Sequence, residues 1–149
     1  MLIKVSNNIT ILLDTSCIIA YLLSSKEAHM SKVVSLSKAK KVTMISSHLA
    51  IDELKRSIKQ HNIKKSKYYN ELVIGRFIVW YVHNTTQYEH DHHKLQISSR
   101  DSNDDMFLSL ALLSQANYLI SVDKDLLILK SVGKTKIVTP KEFIENLKK

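Results

Sequence analysis

The sequence predicts an α/β fold, a three-layer α/β/α sandwich around a mostly parallel sheet of four to five strands. Three observations carry this. Short runs of β-branched and apolar residues recur without polar alternation, as in strands buried on both faces. Stretches with helical periodicity separate them. Two of the most hydrophobic runs, "ITILLD" and "LISVD", stop on an aspartate, at Asp14 and Asp123.

Each element follows from local chemistry. Residues 9–13, "ITILL", read as a first buried strand, and "SCIIAYLLSS" as a helix capped by Thr15 or Ser16. Residues 31–39 form a weaker helix, and 41–46, "KVTMIS", the next strand. Ser47 caps a helix that starts near His48, and helix is expected to continue over residues 63–75. The run "RFIVWYVHN", residues 76–84, reads as a third strand with Trp80 and Tyr81 on opposite faces. Residues 85–104 are polar and lack apolar periodicity, so a loop or a partly helical surface excursion is expected there.

Residues 104–116 form a helix apolar on nearly every side, hence a central buried one. Strand 118–122 follows, then a short helix "KDLLILKSV" ending at Gly133, and a last strand over 134–139. Pro140 suits the first turn of the terminal helix. The 149 residues, with only two glycines and one proline, read as a single domain over 1–149.

No apolar run approaches the roughly 20 residues that span a bilayer, so no membrane partner is expected. The sequence starts without a charged-then-apolar leader. Its single cysteine, Cys17, lies in an apolar run and reads as a buried hydrophobe. Together these point to a cytoplasmic location. Net charge is +8, and the stretch from Lys26 to Arg76, with 12 basic and 4 acidic residues, accounts for it alone. A one-sided basic surface attracts polyanions, nucleic acid first among them. Lys64, Lys65 and Lys67, beside Tyr68 and Tyr69, form a basic stretch interleaved with aromatics that suits single-stranded RNA.

Ligands of open α/β sheets bind beyond the carboxyl ends of the strands, where Asp14 and Asp123 stand. Asp105 opens the central helix, where the helix dipole favours a carboxylate, and Glu53 lies in the first turns of the helix after the second strand. Each has a simpler reading. Asp14 and Asp123 suit helix caps, Asp104 and Asp105 suit a helix N-terminus, and Glu53 suits a pair with a base four residues on, though position 57 is serine. If the acids converge, two carboxylates about 4 Å apart repel by about 4 kcal/mol at an effective dielectric of 20. A cation or a proton must then join them. An all-oxygen ligand set selects Mg²⁺ or Mn²⁺ over zinc, and such ions assist attack of water on a phosphodiester. The histidines at 90, 92 and 93 lack the i, i+4 spacing of a zinc site and read as a solvated loop.

In order, "LLDTS", "SSHLAIDELKRSI", "DDMFLSLALLSQANYLISVDKDLL" and "IVTPKEFIENL" resemble the signature segments of PIN-domain proteins, in particular the stand-alone prokaryotic branch that includes toxins of toxin–antitoxin pairs. The resemblance spans residues 9–147, with 60–100 matching only in general pattern, and Asp123 follows Asp105 by 18 positions as the family spacing expects. It implies a PIN-like fold and a Mg²⁺- or Mn²⁺-dependent ribonuclease. Asp14, Glu53, Asp105 and Asp123 would bind metal, Asp14 as the bridging ligand. Asp104 replaces Asp105 if the helix begins one residue earlier, and Asp125 is either a peripheral ligand or a cap. Thr15, Ser16 and Ser121 match the small polar positions that orient the aspartates.

The resemblance further implies an antitoxin partner and a homodimer, for which the apolar "CIIAYLL" and "VVSL" segments offer a surface. The rival reading is a catalytically silent RNA-binding or scaffold module, which has no reason to keep mutually repelling acids. A phosphatase-like domain is a weaker third, since no "DxDxT" pair is present.

Overall fold

The computed structural model describes residues 9–24, 28–89 and 102–149. Its centre is β1 (Thr10–Leu13), paired in parallel with β2 (Thr43–Ser46) on one side and β4 (Tyr118–Ile120) on the other. β6 (Thr135–Val138) extends the sheet in parallel beside β4. Two-residue strands close the edges: β3 (Thr86–Gln87) parallel to β2, and β5 (Ser131–Val132) antiparallel to β6. Among the described residues this is one six-stranded sheet of order β3-β2-β1-β4-β6-β5. The strand count exceeds the four to five expected because pairing alone, without any apolar signal, defines β3 and β5.

The side chains alternate between two cores, as strand geometry requires. Ile11, Leu13, Met44, Ile120 and Val138 share one cluster with α1 (Thr15–Leu22), α2 (Ala28–Lys38), α5 (Glu71–Asn84) and α8 (Pro140–Leu147). Leu12, Ile45, Leu119 and Ile137 face the other cluster, with α6 (Ser102–Ser114) and α7 (Lys124–Leu127). Both faces are thus covered, and the fold is the predicted α/β/α sandwich. α3 (His48–Ile58) packs on α1 and α6, which brings three helices together beyond the carboxyl ends of β1 and β4.

Local chemistry sets the helix starts. Ser47 caps α3 by accepting from Ala50 N–H at 3.1 Å. Thr139 and Glu142 form a reciprocal capping box around Pro140 at the start of α8.

Several expectations need correction. Residues 76–84 are helix, not strand. Asn70 Oδ1 accepts from the N–H groups of Leu72 and Val73 at 3.1 Å, and Ile74, Phe77 and Tyr81 then recur at helical spacing to reach the core. Trp80 and Tyr81 are therefore neighbours on a helix, and the third strand is the short β3. Helix does not run through 63–75: α4 (His61–Lys64) stops, and α5 begins only at Glu71. The helix after Asp123 ends at Leu127, and Gly133 sits in the β5–β6 hairpin at φ 56°, where a Cβ would meet Leu112 Cδ2 at 2.9 Å. α6 is buried from Met106 to Leu108 and at Leu110 and Ala111, but Leu112 and Leu113 are exposed. The apolar surplus expected at "CIIAYLL" and "VVSL" is used internally: Cys17, Ile18, Leu22, Val33 and Val34 are buried in one cluster with Phe143, Ile144 and Leu147. No helix among the described residues is long and apolar enough to cross a membrane.

Candidate active site

β1 delivers Asp14 directly from its last residue into the first turn of α1. The carboxylate itself is the N-cap: Oδ1 accepts from Cys17 N–H at 2.8 Å, so Asp14 takes the role expected of Thr15 or Ser16. Ser16 Oγ donates to the same carboxylate at 2.9 and 3.0 Å, and Ser121 Oγ donates to Oδ2 at 2.5 Å. Asp14 is only 2% exposed. Burial pushes its pKa up from 3.8 to about 6; the bonds from Ser121, Cys17 N–H and Ser16 oppose the rise, and the charge of Asp123 adds to it.

Ser121, just past β4, joins two acid-bearing segments. While donating to Asp14 it accepts from Asp123 N–H at 2.9 Å. Asp123 in turn caps α7, its Oδ1 accepting from Asp125 N–H at 2.9 Å. Ser16 and Ser121 thus both hydrogen-bond to Asp14. Thr15 does not: its hydroxyl is buried without a hydrogen-bond partner among the described residues, and it lines the cleft.

Glu53 arrives from α3. Its side chain is 12% exposed and receives Arg56 Nη2 at 3.0 Å and Ser57 Oγ at 3.2 Å. An ion pair forms at i+3, while the serine at i+4, which weakened the simpler reading of a pair there, adds a hydroxyl rather than a charge. Arg56 is the neighbour of this acid that sequence reasoning passed over, although helical spacing from Glu53 points to it.

These residues share one cleft of about 410 Å³, lined by Asp14, Thr15, Ser16, Glu53, Ser57, Gln60, Phe107 and Asp123 among others. Three of the four sequence-predicted acids therefore line one cleft. The side chains of Asp104 and Asp105 lie outside those described, as do residues 90–93. The backbone places both aspartates in the first turn of α6, three and two positions before Phe107, which lines the cleft. Asp125 is not among the cleft residues, and Lys64, Lys65 and Lys67 are exposed just beyond Ile63, which is.

Among the described residues no three His, Cys, Asp or Glu side chains are grouped closely enough to hold a metal ion. The cleft nonetheless has the donor chemistry of a hard-cation site: carboxylate and hydroxyl oxygens without thiol or imidazole. Its central acid is one whose buried negative charge a cation would stabilise.

Residues 10–125 match the model of a family described as the PIN domain, most of the chain and all four acids included. No curated protein matches the chain significantly.

Proposed function

This chain belongs to the PIN-domain family, and on that premise we propose that it is a divalent-metal-dependent ribonuclease acting through the cleft around Asp14. The observation that carries this is the state of Asp14: a buried carboxylate with a second carboxylate close enough to raise its pKa, in a cleft that also holds Glu53. An acid that costs stability when ionised needs a compensating role.

Asp14, Glu53, Asp105 and Asp123 would hold Mg²⁺ or Mn²⁺, with Asp104 as the alternative to Asp105 and Asp125 as a further carboxylate at the periphery. When bound, the metal supplies an activated water and charge stabilisation at the leaving oxygen of a phosphodiester. The chain's own residues do the positioning. Ser16, Ser121 and Cys17 N–H fix both oxygens of Asp14, and Arg56 and Ser57 fix Glu53. Thr15, with its unpartnered hydroxyl, gives the cleft a further oxygen donor. Lys64, Lys65 and Lys67 stand beside the cleft, where they neutralise phosphates of an RNA strand.

The proposal extends to partners and setting: a cytoplasmic single-domain enzyme over residues 1–149, paired as a homodimer and restrained as a toxin by an antitoxin protein. Light scattering decides the dimer; a mass near the 17.1 kDa of one chain across concentrations removes it.

One set of observations favours a second reading. Asp14 and Asp123 each cap a helix and Glu53 is paired with Arg56, so each of these three cleft acids has a structural use. On that reading the chain is a catalytically silent RNA-binding or scaffold module. Labelled RNA incubated with the purified protein separates the two. Cleavage in Mn²⁺, none in EDTA and none by Asp14→Asn is the result expected of the nuclease. Binding without cleavage under all three conditions leaves the silent module.

A further inference from the structure

A second cleft, about 530 Å³ in volume, opens between the end of α1, α2 and the start of α5. Tyr21, Tyr68, Phe77 and Trp80 line it with Lys38 and Arg76, and no carboxylate among the described residues does. Tyr21, Phe77 and Trp80 pack in tilted contact, 5.7 Å between centroids at 55° and 48°, with Phe77 buried and Tyr21 and Trp80 half-buried at the floor of the cleft. Cations already sit over its rim: Lys38 Nζ lies 5.5 Å from the Trp80 ring and Lys67 Nζ 5.1 Å from Tyr68. Tyr68 is 46% exposed, an aromatic face turned to solvent rather than spent on the core.

Successive stretches of the same two segments line the two clefts. Ile19 and Ala20 of α1 line the acidic one, and Tyr21 and Leu22, the next residues, line the aromatic one. The segment after α3 repeats the arrangement, with Gln60 and Ile63 in the acidic cleft and Tyr68 and Asn70 in the aromatic one. Between these points lie the exposed Lys64, Lys65 and Lys67.

An exposed ring and a half-exposed one beside cations, with no carboxylate among the described lining residues, suit single-stranded nucleic acid: bases stack on the rings regardless of sequence, and the cations take the backbone. We propose that the aromatic cleft is a base-stacking subsite for single-stranded RNA. Unpaired bases lie against Tyr68 and Trp80, Lys38 and Arg76 neutralise the adjoining phosphates, and the strand continues past Lys64, Lys65 and Lys67 to the acidic cleft. The proposal rests on the ribonuclease reading for its substrate and adds the place where that substrate is gripped. The neighbouring groove along α5, with Leu72 and Val79 exposed, is more apolar and would suit a protein helix; the cations favour a polyanion in the aromatic cleft.

Trp80 is the chain's only tryptophan, so intrinsic fluorescence reports on this cleft directly. The purified chain in EDTA is titrated with a short oligouridylate and with an abasic oligomer of equal length. Saturable quenching by the oligouridylate is expected, with the abasic chain about tenfold weaker and Tyr68→Ala weakening the oligouridylate by about tenfold. The wild-type comparison stands without the variant. RNA that is cut in Mn²⁺ while Trp80 stays silent overturns the subsite and leaves the nuclease intact. Base-dependent quenching without cleavage in Mn²⁺ upholds the subsite and removes the nuclease reading. Equal quenching by the abasic chain or by polyglutamate overturns the subsite in favour of a general polyanion surface. A change in Trp80 emission with protein concentration alone overturns it in favour of a second copy.

Discussion

The hydroxyl of Ser121 lies 2.5 Å from Oδ2 of Asp14, although the two residues are 107 positions apart in the chain. The contact exists because β1 and β4 are parallel neighbours, so the residues that follow them emerge side by side. Through it, the acid after β1 and the acid after β4 become parts of one site. Ser121 is accordingly a positioning residue, acting on Asp14 by hydrogen bond and on Asp123 through its backbone N–H.

Removing that hydroxyl leaves a buried carboxylate one donor short. Ser121→Ala should destabilise the protein by about 1–3 kcal/mol at pH 7.5, where Asp14 is ionised. At pH 4.5 Asp14 is mostly protonated, and the penalty should shrink. Urea unfolding at the two pH values measures both. An equal penalty at each would mean that the serine matters for packing and not for the charge.

Asp14 also sets a pH dependence. Its proton is held to about pH 6 in the folded chain but only to 3.8 in the ordinary state. Between these values the folded state binds more protons, so this group's contribution to stability is full below about pH 4 and is lost as pH rises through 6. The loss is about 3 kcal/mol at about 1.36 kcal/mol per pKa unit. Asp14→Asn lacks this titration, keeps an acceptor for Cys17 N–H, and should be the more stable protein above pH 6 without metal. Urea unfolding of both proteins from pH 4 to 8 checks the difference. A gap that does not widen with pH contradicts the assignment.

Much of this arrangement was legible beforehand. The central strands are buried on both faces, so β1 and β4 carry short apolar runs, and their carboxyl ends locate Asp14 and Asp123. Ser47 and Pro140 announce their helices by side-chain chemistry alone. α5 was not legible because Phe77 to Val82 is β-branched and aromatic enough to imitate a strand; the helical cue is Asn70, outside that run. β3 and β5 consist of two residues each, too short for any period, and only their partners define them. The pairing of Glu53 with Arg56 lies at i+3, whereas the simpler reading considered only i+4, where a serine stands.

The basic stretch should govern salt dependence. Each phosphate neutralised on a single strand contributes a slope of about −0.7 in log K against log salt. Changing Lys64, Lys65 and Lys67 together to Gln should therefore flatten the slope for oligouridylate by about two, as read by anisotropy in EDTA. An unchanged slope would make these lysines ordinary solvated surface.

The claim on which the account turns is that Asp14 and its neighbouring acids hold one divalent cation site, and calorimetric titration of the protein with Mn²⁺ tests it most directly. At pH 7.5 the wild type should bind saturably, and at pH 5.5 more weakly, because the metal must then displace a proton from Asp14. Asp14→Asn, shown folded by its unfolding curve, should bind more than about tenfold more weakly, at least the loss caused by removing a residue that merely supports a ligand. Identical isotherms for the two proteins would contradict the account, leaving Asp14 as a buried helix cap.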